Sequence, residues 1–139
     1  MENKKFKSGL DRMFWIILIF TSALMLSLTV IPSIFYTPIL FLMIAADIFV
    51  LYFLISPLFG YVELRENGVF IKFGFILKRE IPYGKIRGLE KCRKLYSDSM
   101  VSLKNKIEHV NIKYNTFDVV SVSLQNNDDF IKELNLRIQ

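Results

Sequence analysis

The sequence predicts an α+β chain: a two-helix transmembrane hairpin, then a small antiparallel β domain capped by a C-terminal helix. Three observations carry that expectation. Residues 13–31 (MFWIILIFTSALMLSLTVI) hold no charge, and residues 38–60 (PILFLMIAADIFVLYFLISPLFG) hold a single one, Asp47. From Tyr61 the apolar residues switch to a period of two, broken by turn residues. Near the C-terminus they return to helical spacing.

Each apolar run meets the roughly 20 residues that a helix needs to cross a hydrocarbon core about 30 Å thick. Both are apolar around their whole circumference, and a chain of 139 residues has no core large enough to bury them. The link 32–37 (PSIFYT) is long enough only for a turn. A signal peptide is the competing reading of the first run. The run is too long for that, no small-x-small site precedes Pro32, and a second span follows at once.

Lys4, Lys5, Lys7 and Arg12 precede the first run, and Arg65, Lys72, Lys78 and Arg79 follow the second; the turn between has no charge. The positive-inside rule then puts both termini in the cytoplasm and predicts a multi-pass cell-membrane protein with two spans. Trp15, Phe35, Tyr36, Phe59 and Tyr61 fall near the ends of the runs, where aromatic belts form. The expected organisation is a cytoplasmic N-terminal segment (1–12), the hairpin (13–60) and a cytoplasmic domain (61–139).

Asp47 is costly inside a bilayer, by about 2.5–3.5 kcal/mol on insertion scales, so it is expected to face a partner. Folding the runs about a turn at 34/35 brings Ser22 to its depth, with Thr21 and the small Ala23, Ala45 and Ala46 beside it. One reading is a structural clip between Asp47 and Ser22 or Thr21, contributing about 1 kcal/mol. The other is contact with a membrane-active ligand or a partner's helix. One carboxylate on two helices offers no second station for a proton or ion path.

In the polar domain Val62 and Leu64 mark a first strand and Glu66-Asn67-Gly68 a hairpin turn. Val69, Ile71 and Phe73 mark a second strand, Phe75 to Ile81 a third, and Pro82-Tyr83-Gly84 a break. Arg87 to Leu95 reads as a fourth. Ile107 to Tyr114 pairs with Asp118 to Leu124 across Asn115-Thr116-Phe117. Asn126 or Asn127 caps a final helix, Asp128 and Asp129 suit its positive end, and Phe130, Ile131, Leu134 and Ile138 form its apolar stripe. Six or seven strands followed by one helix is the order of a pleckstrin-homology (PH)-like barrel.

Several stretches carry a resemblance: Tyr61-Val-Glu-Leu-Arg-Glu-Asn-Gly-Val, Ile81-Pro82-Tyr83 with Ile86, and Leu95-Tyr96-Ser97 with Ser99 and Ser102. Ile112-Lys113-Tyr114, Val122-Ser-Leu and Asp129-Phe-Ile-Lys-Glu-Leu complete the set. In these the chain resembles the small bacterial membrane proteins with a cytoplasmic PH-like domain, the group that includes the sublancin immunity protein. Two departures stand out: Leu124 replaces a proline common in that family, and this chain has two spans. The resemblance implies a PH-like β-barrel, no catalytic residues, and immunity to a secreted antimicrobial peptide (a bacteriocin). The alternative is an accessory or scaffold subunit of a transporter or envelope complex.

Catalytic and metal signatures are absent from the sequence: no phosphate-binding glycine loop, nucleophile elbow or zinc-protease motif occurs. His109, the one histidine, is expected on the surface or partly packed, and Cys92, the one cysteine, as an inert thiol flanked by Lys91 and Arg93. No enzyme, cofactor or metal is expected. The net charge of +5 concentrates in Lys85, Arg87, Lys91, Arg93, Lys94, Lys104 and Lys106. These form a candidate patch for anionic lipid headgroups or a membrane-protein partner, with Lys85, Arg87, Lys91 and Arg93 on one strand face. Without a recognition motif nucleic acid is not an expected partner.

Overall fold

The computed structural model describes residues 2–99, 102–103 and 106–139. The elements run β1 (Lys4–Lys7), α1 (Arg12–Phe35), α2 (Ile39–Ile55), β2 (Tyr61–Leu64), β3 (Gly68–Lys72), β4 (Lys78–Pro82), β5 (Ile86–Arg93), β6 (Glu108–Tyr114), β7 (Asp118–Val122) and α3 (Asn127–Ile138). A 3₁₀ turn, Ser56–Phe59, extends α2. The helices Arg12–Phe35 and Ile39–Phe59 are each long and apolar enough to cross a membrane, and almost none of their residues is buried.

Asp11 caps α1 by accepting from the Phe14 N–H at 3.0 Å. The helix continues four residues beyond the predicted end at Ile31, through Pro32 to Phe35. Proline removes one backbone donor, but the Tyr36 N–H still reaches the Pro32 carbonyl, and the Ser33 hydroxyl donates to the Thr29 carbonyl. The turn therefore falls at residues 36–38, not at 34/35, and this shifts the pairing of the two helices.

Two antiparallel sheets form the polar domain, ordered β1-β2-β3-β4 and β5-β6-β7. The residues expected as a separate N-terminal segment supply β1, with Phe6 opposite Val62 and Lys4 opposite Leu64. The helical hairpin is thus an insertion between the first two strands of the barrel. A bridge between Ser8 and Leu124 ties the two sheets together. Inside lie Val62, Leu64, Val69, Ile71, Ile81, Val110, Ile112, Val120 and Val122, the alternating positions of their strands. Asn126 caps α3, whose buried Phe130 and Leu134 close the open apolar side; Phe130 meets Phe6 edge-to-face, centroids 5.4 Å apart.

The predicted hairpin at 115–117 and the final helix form where expected, with Asn115 taking the left-handed conformation of the turn (φ 50°). The third strand is shorter than predicted. Lys78 starts it, and Phe75-Ile76-Leu77 belongs to a tight loop closed by the Phe73 N–H on the Leu77 carbonyl. Pro82 is tolerated because it ends β4, an edge strand. His109, expected on the surface or partly packed, has 0% of its area exposed. Residues 109–112 of β6 are buried on both faces, with Val110 and Ile112 in the core and Asp98 bonded to Asn111 on the other side.

Candidate functional site

The hairpin leaves and enters one end of the barrel. The Ser8 N–H donates to the Gly60 carbonyl at 3.2 Å, and Asp11 also accepts from the Ile107 N–H at 3.1 Å. The strand ends at Tyr61, Lys72, Lys78, Arg93 and Glu108 therefore gather at the hairpin. The turns after Leu64, Pro82 and Tyr114 lie at the far end, where Arg137 of α3 donates to the Leu64 carbonyl.

Two apolar loops flank the hairpin there. In the first, Ile76 is 72% exposed, with Phe75 and Leu77 also open. Gly74 makes the loop possible: a Cβ there would meet the Ser56 hydroxyl at 1.9 Å, while that hydroxyl accepts from the Phe75 N–H at 3.0 Å. The Phe75 ring lies 5.0 Å from that of Tyr52 and 4.9 Å from that of Phe59, both on the α2 side. A mainly apolar cleft of about 280 Å³ remains between Tyr52, Ser56, Phe73, Ile76 and Leu77. In the second loop, Leu95 is 78% exposed and lines a smaller cleft with Met13, Phe14 and Ile17 of α1. Sequence reasoning missed both loops. One signal was available, because Phe75-Ile76-Leu77 breaks the period-two alternation with three consecutive apolar residues.

The six described residues of the predicted basic patch do not form one surface. A register shift between Ile86 and Gly88 breaks the face that Arg87 was to share with Lys91 and Arg93, and Lys85 sits in a 3₁₀ turn. Arg87 binds the Thr116 carbonyl at 3.1 Å at the far end. Lys91 is held by Glu108 and Asp128, both at 2.7 Å; Asp128 first, then Glu108, raises its pKa. Arg93, Lys94 and Lys106 do reach the hairpin end, the latter donating to the Leu124 carbonyl at 3.5 Å; Lys104 lies outside the described residues. Lys5, Lys7, Lys72 and Lys78, which were not in the predicted patch, share that end through the pairing of β1 to β4.

Within the hairpin, Asp47 accepts from the Thr29 hydroxyl at 2.5 Å. Thr29 is the buried residue of α1. Neither Ser22 nor Thr21 is its partner, since the later turn offsets the helices by about two helical turns from the predicted pairing. The hydrogen bond that joins the two helices at Asp47 is thus made by Thr29.

A polar cluster occupies the outer face of the second sheet. Cys92 pairs directly with His109 across β5 and β6. The Asn111 amide donates to the Asp98 carboxylate at 2.8 Å and to the Cys92 sulfur at 3.5 Å, while the Ser121 hydroxyl donates to its carbonyl oxygen at 2.6 Å. Lys91 and Arg93 alternate to the opposite face, so they do not lower the thiol's pKa. Burial, and after it Glu90, pushes Cys92 up. A catalytic thiol requires the reverse shift, so this cluster does not read as a nucleophile with its base.

Comparison with known families matches residues 60–137 to the family described as bacterial PH domain. No curated protein and no solved structure matches the chain. The matched span takes in β2 to β7 and most of α3, leaving out β1 and the helical hairpin.

Proposed function

The chain belongs to the bacterial PH domain family, and from that premise and the geometry of the hairpin-facing end we propose a membrane-anchored, non-enzymatic binding module whose barrel rests on the inner surface of the cell membrane. The observation that carries this reading is the exposed Phe75-Ile76-Leu77 loop packed against the end of α2. Three adjacent apolar side chains beside a membrane span sit at the depth where acyl chains meet headgroups, and apolar patches at such a place mark a lipid contact. Leu95 and Tyr96 add a second contact on the α1 side. Lys72 and Lys78 flank the first loop and Lys94 precedes the second, with Lys5 and Lys7 on the neighbouring β1, and each cation near an anionic leaflet contributes about 1 kcal/mol.

Pairing of β1 with β2 supports the same arrangement, because both ends of the hairpin then stay on one side of the bilayer. The positive-inside rule makes that side the cytoplasm. The ligands this end suits are anionic lipids and the membrane-embedded face of a partner. Hydrogen exchange of the full chain in nanodiscs tests the reading. Slower exchange of 73–77 and 94–97 in anionic than in neutral lipid is expected; identical exchange in both and in detergent would discard it.

The narrower role implied by the resemblance is protection against a secreted antimicrobial peptide, met in the bilayer by the hairpin. Deleting the gene and challenging cells with a bacteriocin panel tests that role. Raised sensitivity to one peptide supports it, and unchanged sensitivity to all removes it.

A further inference from the structure

We propose that Cys92, Asp98 and His109 form a binding site for a thiophilic divalent cation of the zinc class, where Asp98 meets the outer face of β5 and β6. The three side chains come from two strands and a loop, and their ligand atoms all lie within 4.8 Å of one another. A thiolate, a carboxylate and a neutral imidazole carry two negative charges, which balance a divalent ion. Sulfur, nitrogen and oxygen together suit zinc or cobalt better than the all-oxygen preference of magnesium or calcium.

The histidine supplies the independent observation. His109 Nδ1 lies 3.0 Å from the Ile107 carbonyl, an acceptor, so Nδ1 must carry the proton. In the neutral ring Nε2 then carries the lone pair, and this atom is buried with no hydrogen-bond partner among the described residues. An unsatisfied buried acceptor is unfavourable, and coordination is one way of removing that cost. A metal-bound imidazole has this same arrangement, one nitrogen on the ion and the other donating to a backbone carbonyl.

Asn111 supplies the outer support. Its amide binds both the Asp98 carboxylate and the Cys92 sulfur and is itself held by Ser121, so the two acidic ligands are aimed together. Tetrahedral coordination at ordinary bond lengths sets ligand atoms about 3.5 Å apart, which requires a closure of about 1 Å. Asp98 is exposed on its loop and can supply it, moving away from Lys94, now 3.7 Å distant. Burial without a cation disfavours the Cys92 thiolate; a bound ion reverses that balance.

Cobalt(II) is the probe. The full-length protein, stripped with chelator in mild detergent, should bind one equivalent and develop a near-ultraviolet thiolate-to-cobalt charge-transfer band. Cys92→Ser should abolish the band, and Asp98→Asn, which keeps the shape of an exposed side chain, should weaken binding at least tenfold. His109→Gln should weaken it further. Wild-type protein that shows no such band, or an Asp98→Asn variant that binds as tightly as wild type, would overturn the site.

Discussion

Replacing Phe6 by alanine tests whether the N-terminal residues belong to the barrel. Phe6 is only 9% exposed, stands opposite Val62 and meets Phe130 edge-to-face. Phe→Ala at buried sites costs about 3–5 kcal/mol, and a place on an edge strand points to the lower figure. With an m-value of about 1 kcal/mol per molar urea for a small domain, the midpoint should fall by about 3 M. Pulse proteolysis in urea reads this with the helices still held in detergent. Lys7→Ala, an exposed neighbour on the same strand, should change stability by less than about 0.5 kcal/mol. A Phe6→Ala midpoint within about 0.5 M of wild type would refute the reasoning and return residues 2–8 to the status of a tail.

Thr29→Val keeps the shape of the α1 side chain and removes the donor to Asp47. It should lower stability in detergent by about 1 kcal/mol, measured as thermal aggregation, while Ser22→Ala and Thr21→Val leave it unchanged. Lys4, ion-paired at 2.8 Å, holds Glu133 below the usual carboxylate range. A depressed folded pKa gives stability that is present above the ordinary glutamate value and is lost as pH falls through the folded one. The β1 amides should therefore exchange faster on acidification across that window, and Glu133→Gln should flatten the dependence. Gly74→Ala forces a Cβ onto Ser56 and should expose the 74–77 loop to protease.

Much of this fold was legible because local chemistry decided it. The Asn115 turn and the Asn126 cap act over a few residues and formed where the sequence placed them, and the apolar runs gave helices whose ends differ from those expected. What failed to show depended on distant parts of the chain. Lys4 to Lys7 reads as a basic flank, and only pairing with Tyr61 to Leu64 makes it a strand. The proline at 32 reads as a helix end, but the Ser33 and Tyr36 bonds carry α1 past it. That four-residue extension moved the partner of Asp47 from Ser22 to Thr29. His109 alternates as an outward residue, and its burial is a tertiary effect that no local pattern encodes. The segment between β5 and β6 brings Asp98 to Cys92 and His109, a juxtaposition invisible in a chain with one histidine and one cysteine.

Nitroxide labels at Ile76, Tyr96 and Phe117 in liposome-reconstituted protein test most directly whether the barrel is seated on the bilayer. Phe117 is 93% exposed at the tip farthest from the hairpin, so it provides the aqueous reference. The account predicts that oxygen relaxes the labels at 76 and 96 more than a water-soluble nickel chelate does, with the reverse at 117. Equal access of the chelate to all three positions would mean that the barrel hangs free in water, and the central claim would be wrong.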